Sequence, residues 1–249
     1  RTPDIDWQII ETRLLVHTPK GWTGYPYIWN VDQTDAFLEI AGDRKQISWI
    51  DKHGQSKNVN YLVPNFNMCK GCHVINKIFQ PIGPKPRLLN CDNSYQGVVW
   101  NQLKKMLERN MIEGIPQVAS IQVTAEWDNN HYSLNDRARA YLDVNCAHCH
   151  SSKGYANTSG LFLEYNVTDL TKLGVFKTPV ATGRGSGNLD YNIVPGRAKE
   201  SIIIFRMEST DPGILMPESG RKMVHKEGVD LIRNWINSLV YNEFETNLK

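Results

Sequence analysis

Two stretches of the sequence spell the same chemical word. Residues 68 to 73 read MCKGCH and residues 145 to 150 read NCAHCH, so Cys-x-x-Cys-His occurs at Cys69, Cys72 and His73 and again at Cys146, Cys149 and His150. Only Cys91 of the 5 cysteines in this 249-residue chain lies outside the two words. Chance does not place 5 Cys and 7 His in this way. A disulfide framework is a poor account, because a chain of this length buries a core without staples and the cysteines are closely paired instead of spread over loops. Zinc takes four ligands, so each triplet alone is one short and the two would have to share. A thioredoxin-type Cys-x-x-Cys normally opens a helix after a strand and leaves the adjacent histidine without a role.

Covalent attachment of haem c uses every letter of the word. Two thiols add across the haem vinyl groups, and the neighbouring histidine turns its imidazole onto the iron. The two intervening residues let one backbone turn bring both sulfurs to one porphyrin edge. Two covalently bound haem c groups are therefore expected. Cys69 and Cys72 would form the thioether links of the first, with His73 as proximal iron ligand; Cys146, Cys149 and His150 would hold the second. Cys91 is expected to be a small buried hydrophobe. His148, between the attaching cysteines, is expected to point away from the iron, at the surface.

The charge balance narrows the partners. Lys and Arg total 28 against 26 Asp and Glu, a formal net charge of +2, and no basic run is present, so nucleic acid is not expected. No apolar stretch approaches the roughly 20 residues that span a bilayer. The first residues, RTPDIDWQII, are neither a signal peptide nor a start methionine. Haem c is attached after export in bacteria, so an extracytoplasmic site, periplasm or cell exterior, is the expectation. No GxSxG, HExxH or acidic metal cluster offers a second catalytic centre.

These residues need elements to position them. Residues 1–63 alternate apolar and polar residues in WQIIETRLLVH, GYPYIWN, DAFLEIAG, KQISWID and NVNYLVP, which reads as an antiparallel β-meander packed on the first haem domain. Its aromatics, Trp7, Trp22, Tyr25, Tyr27, Trp29 and Trp49, are expected as ordinary core. Residues 64–118 form the expected first haem domain. There PIGPKPRLLN has too many prolines for regular structure, and GVVWNQLKKMLERNMI carries Val99, Leu103, Met106, Leu107 and Met111 at helical spacing. Residues 119–132 read as a linker, and residues 133–249 as the second haem domain. Ser133 caps a helix, LNDRARAYLDVN, that runs straight into the second word, and Val229, Ile232, Trp235, Ile236 and Leu239 form one face of a final helix. The glycine-rich ATGRGSG lacks the order of a phosphate loop and reads as a loop beside a haem. The resulting fold class is mainly α with an N-terminal antiparallel β-meander and two cytochrome c-type haem domains.

A helix entering CxxCH, irregular loops, the pair Met216–Pro217 and a last helix with LIRNWINSL together resemble a class I cytochrome c domain over about residues 133 to 241. That likeness implies Met216 as the distal thioether opposite His150, with the last helix crossing the first. The whole chain, through GYPYIWNVDQTDA, PNFNMCKGCH, PIGPKPRLLN and RARAYLDVNCAHCH, is similar to a little-characterised family of bacterial diheme c-type cytochromes, some joined to quinoprotein-like dehydrogenase domains. A thioether raises the reduction potential relative to a second imidazole, which suits an electron carrier. Met223 and His225 compete with Met216 in the same segment. For the first haem the distal ligand is left among Met111, His53 and His17, or an open or partner-supplied position.

The function expected is transfer of single electrons between redox protein partners, a dehydrogenase among the candidates. The alternatives are a diheme peroxidase-like enzyme with one five-coordinate haem, and a homo-oligomer or conductive filament in which His17, His53 or His131 of one subunit ligates a haem of the next.

Overall fold

The computed structural model describes residues 8–51, 54–218 and 220–240. Trp7 and His53 lie outside the described residues.

The first half is built from hairpins. Strands β1 (Glu11–Thr18), β2 (Gly21–Trp29) and β3 (Ala36–Leu38) form an antiparallel sheet in the order β1-β2-β3. Among the described residues, strands β4 (Asp43–Ile50) and β5 (Ser56–Val63) pair only with each other, so the meander is two small sheets and not one. The short helix α1 (Phe66–Lys70) begins where the Asn65 side chain accepts from the Met68 N–H at 3.0 Å. It leads into the first word. Directly after His73 comes a tight hairpin of β6 (Val74–Ile75) and β7 (Ile78–Phe79). Its turn residues Asn76 and Lys77 both take positive φ, 51° and 65°, the backbone a two-residue hairpin turn needs. Helix α2 (Pro86–Leu89), the hairpin of β8 (Asp92–Tyr95) and β9 (Val98–Asn101), and helix α3 (Gln102–Glu108) complete this half.

The second half carries the main core. Helix α4 (Leu134–Asn145) is capped by Ser133, whose hydroxyl accepts from the Asp136 N–H at 3.1 Å. Helix α6 (Lys226–Ser238) packs with it, and α5 (Ile202–Glu208) packs against α6. Ala138 and Leu142 of α4 meet Val229, Ile232, Trp235 and Ile236 of α6, and Trp235 Nε1 donates to Asn135 Oδ1 at 3.1 Å.

The expectation of a mainly helical chain of cytochrome-like domains is overturned. The described residues are about 27% helix and 23% strand, with four small antiparallel sheets among them. The helices of the first half are short for local reasons. Val98, Val99 and Trp100, read as the start of a helix, pair instead in the β8–β9 hairpin, where β-branched and aromatic residues pack well. The Asn101 side chain then accepts from the Lys104 N–H at 3.1 Å, so the helix starts only at Gln102.

Candidate functional site

Both words adopt the same turn. In the first, the N–H of Cys72 donates to Cys69 O at 3.1 Å and that of His73 to the same carbonyl at 2.9 Å. In the second, Cys149 N–H and His150 N–H donate to Cys146 O at 3.1 and 2.9 Å. A single helical turn thus places two thiols and an imidazole in the same relation twice. It continues from the end of α1, which includes Cys69, in one case and follows α4 in the other.

The two histidines also share a tautomer. His73 Nδ1 lies 3.2 Å from the Gln80 carbonyl, which only accepts, so the ring nitrogen must carry the proton. The β6–β7 hairpin makes that bond by returning the chain beside His73, whose ring packs 5.6 Å from Phe79. His150 Nδ1 lies 3.4 Å from Ser159 Oγ. The Ser159 hydroxyl donates to Ala156 O at 2.7 Å, so toward His150 its oxygen accepts. In both rings the proton sits on Nδ1 and the Nε2 lone pair is left for a metal, the usual preparation of a ligating histidine. Burial, with the Arg206 charge nearby, pushes His150 down to about 4, which keeps it neutral at ordinary pH.

A cavity of about 470 Å³ lies against the second word. Its wall includes Cys146, Cys149, His150 and Met216, with Gly71 and Cys72 of the first word. This size falls in the 300–1,000 Å³ range of cofactor sites. Burial raises the Cys146 thiol to about 12; a hydrogen bond with Cys72, then burial, raises Cys149. Two arginines also face the cavity. Arg206 donates from Nε to Ile214 O at 2.8 Å, and Glu218 is its ion partner at 3.7 Å. Arg221 donates to the carbonyls of Met207 at 2.7 Å and Ser209 at 2.6 Å, yet its buried Nε has no partner among the described residues. Desolvation lowers both guanidinium pKa values. An apolar wall with two thiols, a neutral imidazole, a thioether and a buried Arg221 Nε unsatisfied among the described residues fits a haem with its carboxylates.

The remaining residues named from sequence fall elsewhere. Met223 is 50% exposed and outside the cavity wall. His225 occupies the N-cap position of α6 at the cavity rim, without a side-chain capping bond; its Nδ1 is 3.0 Å from Tyr141 Oη and its ring stacks on Tyr141. His148, expected at the surface, is half-buried on the cavity wall. Cys91, expected to be buried, is only partly so, with Sγ 3.7 Å from Leu88 O. Of the first haem's distal candidates, Met111 is 67% exposed beyond α3, His17 is exposed against Trp22, and His53 is outside the described residues.

The two words are neighbours in space, which the sequence did not reveal. One ligand atom from each of Cys72, His148 and Cys149 lies within 4.8 Å of the other two. Cys149 Sγ donates to Gly71 O at 3.3 Å. Sequence reasoning also missed Asp143, buried one turn before Cys146. It accepts from Lys85 Nζ at 3.3 Å, from Arg87 and from the Tyr165 N–H at 3.0 Å. Its cations come from the segment PIGPKPRLLN, so this ion pair docks the first half onto α4. No local pattern signals a contact between residues so far apart in the chain.

Compared with protein-family models, with curated proteins and with solved structures, the chain has no match. No helix among the described residues is long and apolar enough to cross a membrane.

Proposed function

We propose that the protein is a diheme c-type cytochrome that passes single electrons between redox partners outside the cytoplasm. The observation that carries this reading is one cavity lined at once by Cys146, Cys149, His150 and Met216. The two thiols would hold the second haem, His150 and Met216 would ligate its iron, and Arg206 and Arg221 would receive its carboxylates. Cys69, Cys72 and His73 repeat the attachment turn for the first haem, with Gln80 fixing the imidazole. The haem supplies one-electron redox chemistry; the chain supplies ligands, burial and charge that set its potential.

A second reading has its own observation. Cys72, Cys149 and His148 are three donors gathered from both words, as a shared zinc site requires. That site would leave Cys69, Cys146, His73, His150 and Met216 without a role, so we rank it below the haem reading.

The test uses the protein exported in a host that attaches haem c. Intact mass and the pyridine haemochrome assay should give two haems per chain, falling to one when Cys146 and Cys149 are both changed to Ala. Oxidised spectra should show low-spin haem with a near-infrared methionine band that Met216→Ala abolishes. Stoichiometric zinc and no haem would sink the proposal. A high-spin haem signal in the unchanged protein would mean an open iron and redirect the function toward peroxide chemistry.

A further inference from the structure

Resting on the haem reading above, we propose that the two words form one joint: Cys72 and Cys149 fasten their haems side by side, as a coupled pair and not as two separate centres. In each word the second cysteine would carry one edge of its porphyrin. The ligand atoms of Cys72, Cys149 and His148 all lie within 4.8 Å of one another, so the attached edges have little room to diverge. The contact is built from backbone as well as side chain, because Cys149 Sγ also reaches Gly71 O at 3.3 Å.

Two further contacts hold the joint. In the β6–β7 turn, Asn76 N–H donates to Lys153 O at 2.9 Å, tying the segment after the first word to the segment after the second. Upstream of the second word, Asp143 takes Lys85 and Arg87 from the other half. The second word is thus held before and after its cysteines, both times by segments that follow the first word. Gly71 and Cys72 also line the cavity assigned to the second haem, so the first word forms part of that haem's wall. Charges this close interact through protein as well as solvent, so the redox state of one iron should be felt at the other.

The experiment takes the haem-loaded protein and two variants, each with both cysteines of one word changed to Ala. Haem content is first counted by intact mass. Circular dichroism is then recorded across the Soret band, and the midpoint potentials are titrated. The pair predicts a bisignate Soret signal in the unchanged protein that the summed spectra of the two monohaem variants do not reproduce. It also predicts a midpoint for each haem that moves when the other is missing. Two haems by mass with an additive Soret spectrum and unmoved potentials would overturn the joint while leaving the cytochrome reading intact. Fewer than two haems in the unchanged protein would overturn both. If a monohaem variant fails to fold, the sign pattern of the unchanged protein's Soret signal decides alone.

Discussion

Arg221 is where a single residue should set the behaviour of the proposed second haem. Its Nε is buried on the cavity wall with no partner among the described residues, and desolvation already works against its charge. A cation beside an iron favours the reduced form, which carries one positive charge fewer. Arg221→Leu should therefore lower the midpoint potential of the haem proposed opposite Met216, by on the order of 50 mV if roughly a tenfold change in the redox equilibrium is involved. Potentiometric titration reads this, and an unmoved midpoint in a folded variant would remove Arg221 from the haem's surroundings. At this scale the sequence was most informative where chemistry is local. The CxxCH words are contiguous and their turn is closed by their own backbone. Arg206, Arg221, Gln80 and Ser159 were not legible, because each reaches the site through a fold contact that no spacing announces.

Helix ends and faces show how far local rules extend to elements. Ser133 and the face of Ala138 and Leu142 give α4 from sequence, because a cap and a helical period are local facts. The close approach of α4 and α6 is not local. A Cβ placed on Gly228 would lie 2.2 Å from Tyr141 Oη and 2.6 Å from His225 Nδ1. Gly228→Ala gains about 1 kcal/mol of helix propensity but incurs an overpacking cost of about 1–3 kcal/mol. The variant should be less stable, and adding Tyr141→Leu should recover part of the loss, a coupling that denaturant titration of the double-mutant cycle would measure. Additive effects would show that the crossing is not the constraint. The Asp143 contact joins elements instead of shaping one. Its side chain is 3% exposed, beside a partly buried Arg87 and an exposed Lys85, so Asp143→Ala leaves the Arg87 guanidinium and the Tyr165 N–H without their acceptor and should cost about 1–3 kcal/mol. Chemical denaturation tests this, and a change within about 0.5 kcal/mol, typical of a surface site, would refute the docking role.

The molecule as a whole is uneven in a way that bears on its cofactors. Among the described residues the buried apolar side chains before residue 133 are Pro26, Ile28, Val63, Pro64, Leu103 and Ala125, and all the others lie after it. The first half instead exposes Val31 (88%), Phe37, Ile40, Ile50, Ile78 and Val99. Its sheets are two and three strands wide, too small to bury a sizeable core of their own. Alternating strands were legible in the sequence, but the scarcity of core was not, since alternation shows which residues share a face and not what covers it. A haem attached at Cys69 and Cys72 would supply the missing apolar mass, and a group that binds only the folded form stabilises it. The second half, with Leu142, Ile193, Ile232 and Ile236 fully buried, has a core without one. Hydrogen exchange on the chain made without haem attachment should therefore show an asymmetric loss relative to the loaded protein. Amides of β1 to β7 should lose most of their protection, while those of α4 and α6 keep a larger share. Equal loss in both halves would mean that the first half does not depend on the haem for its stability, and the surface it exposes would then call for a protein partner in its place.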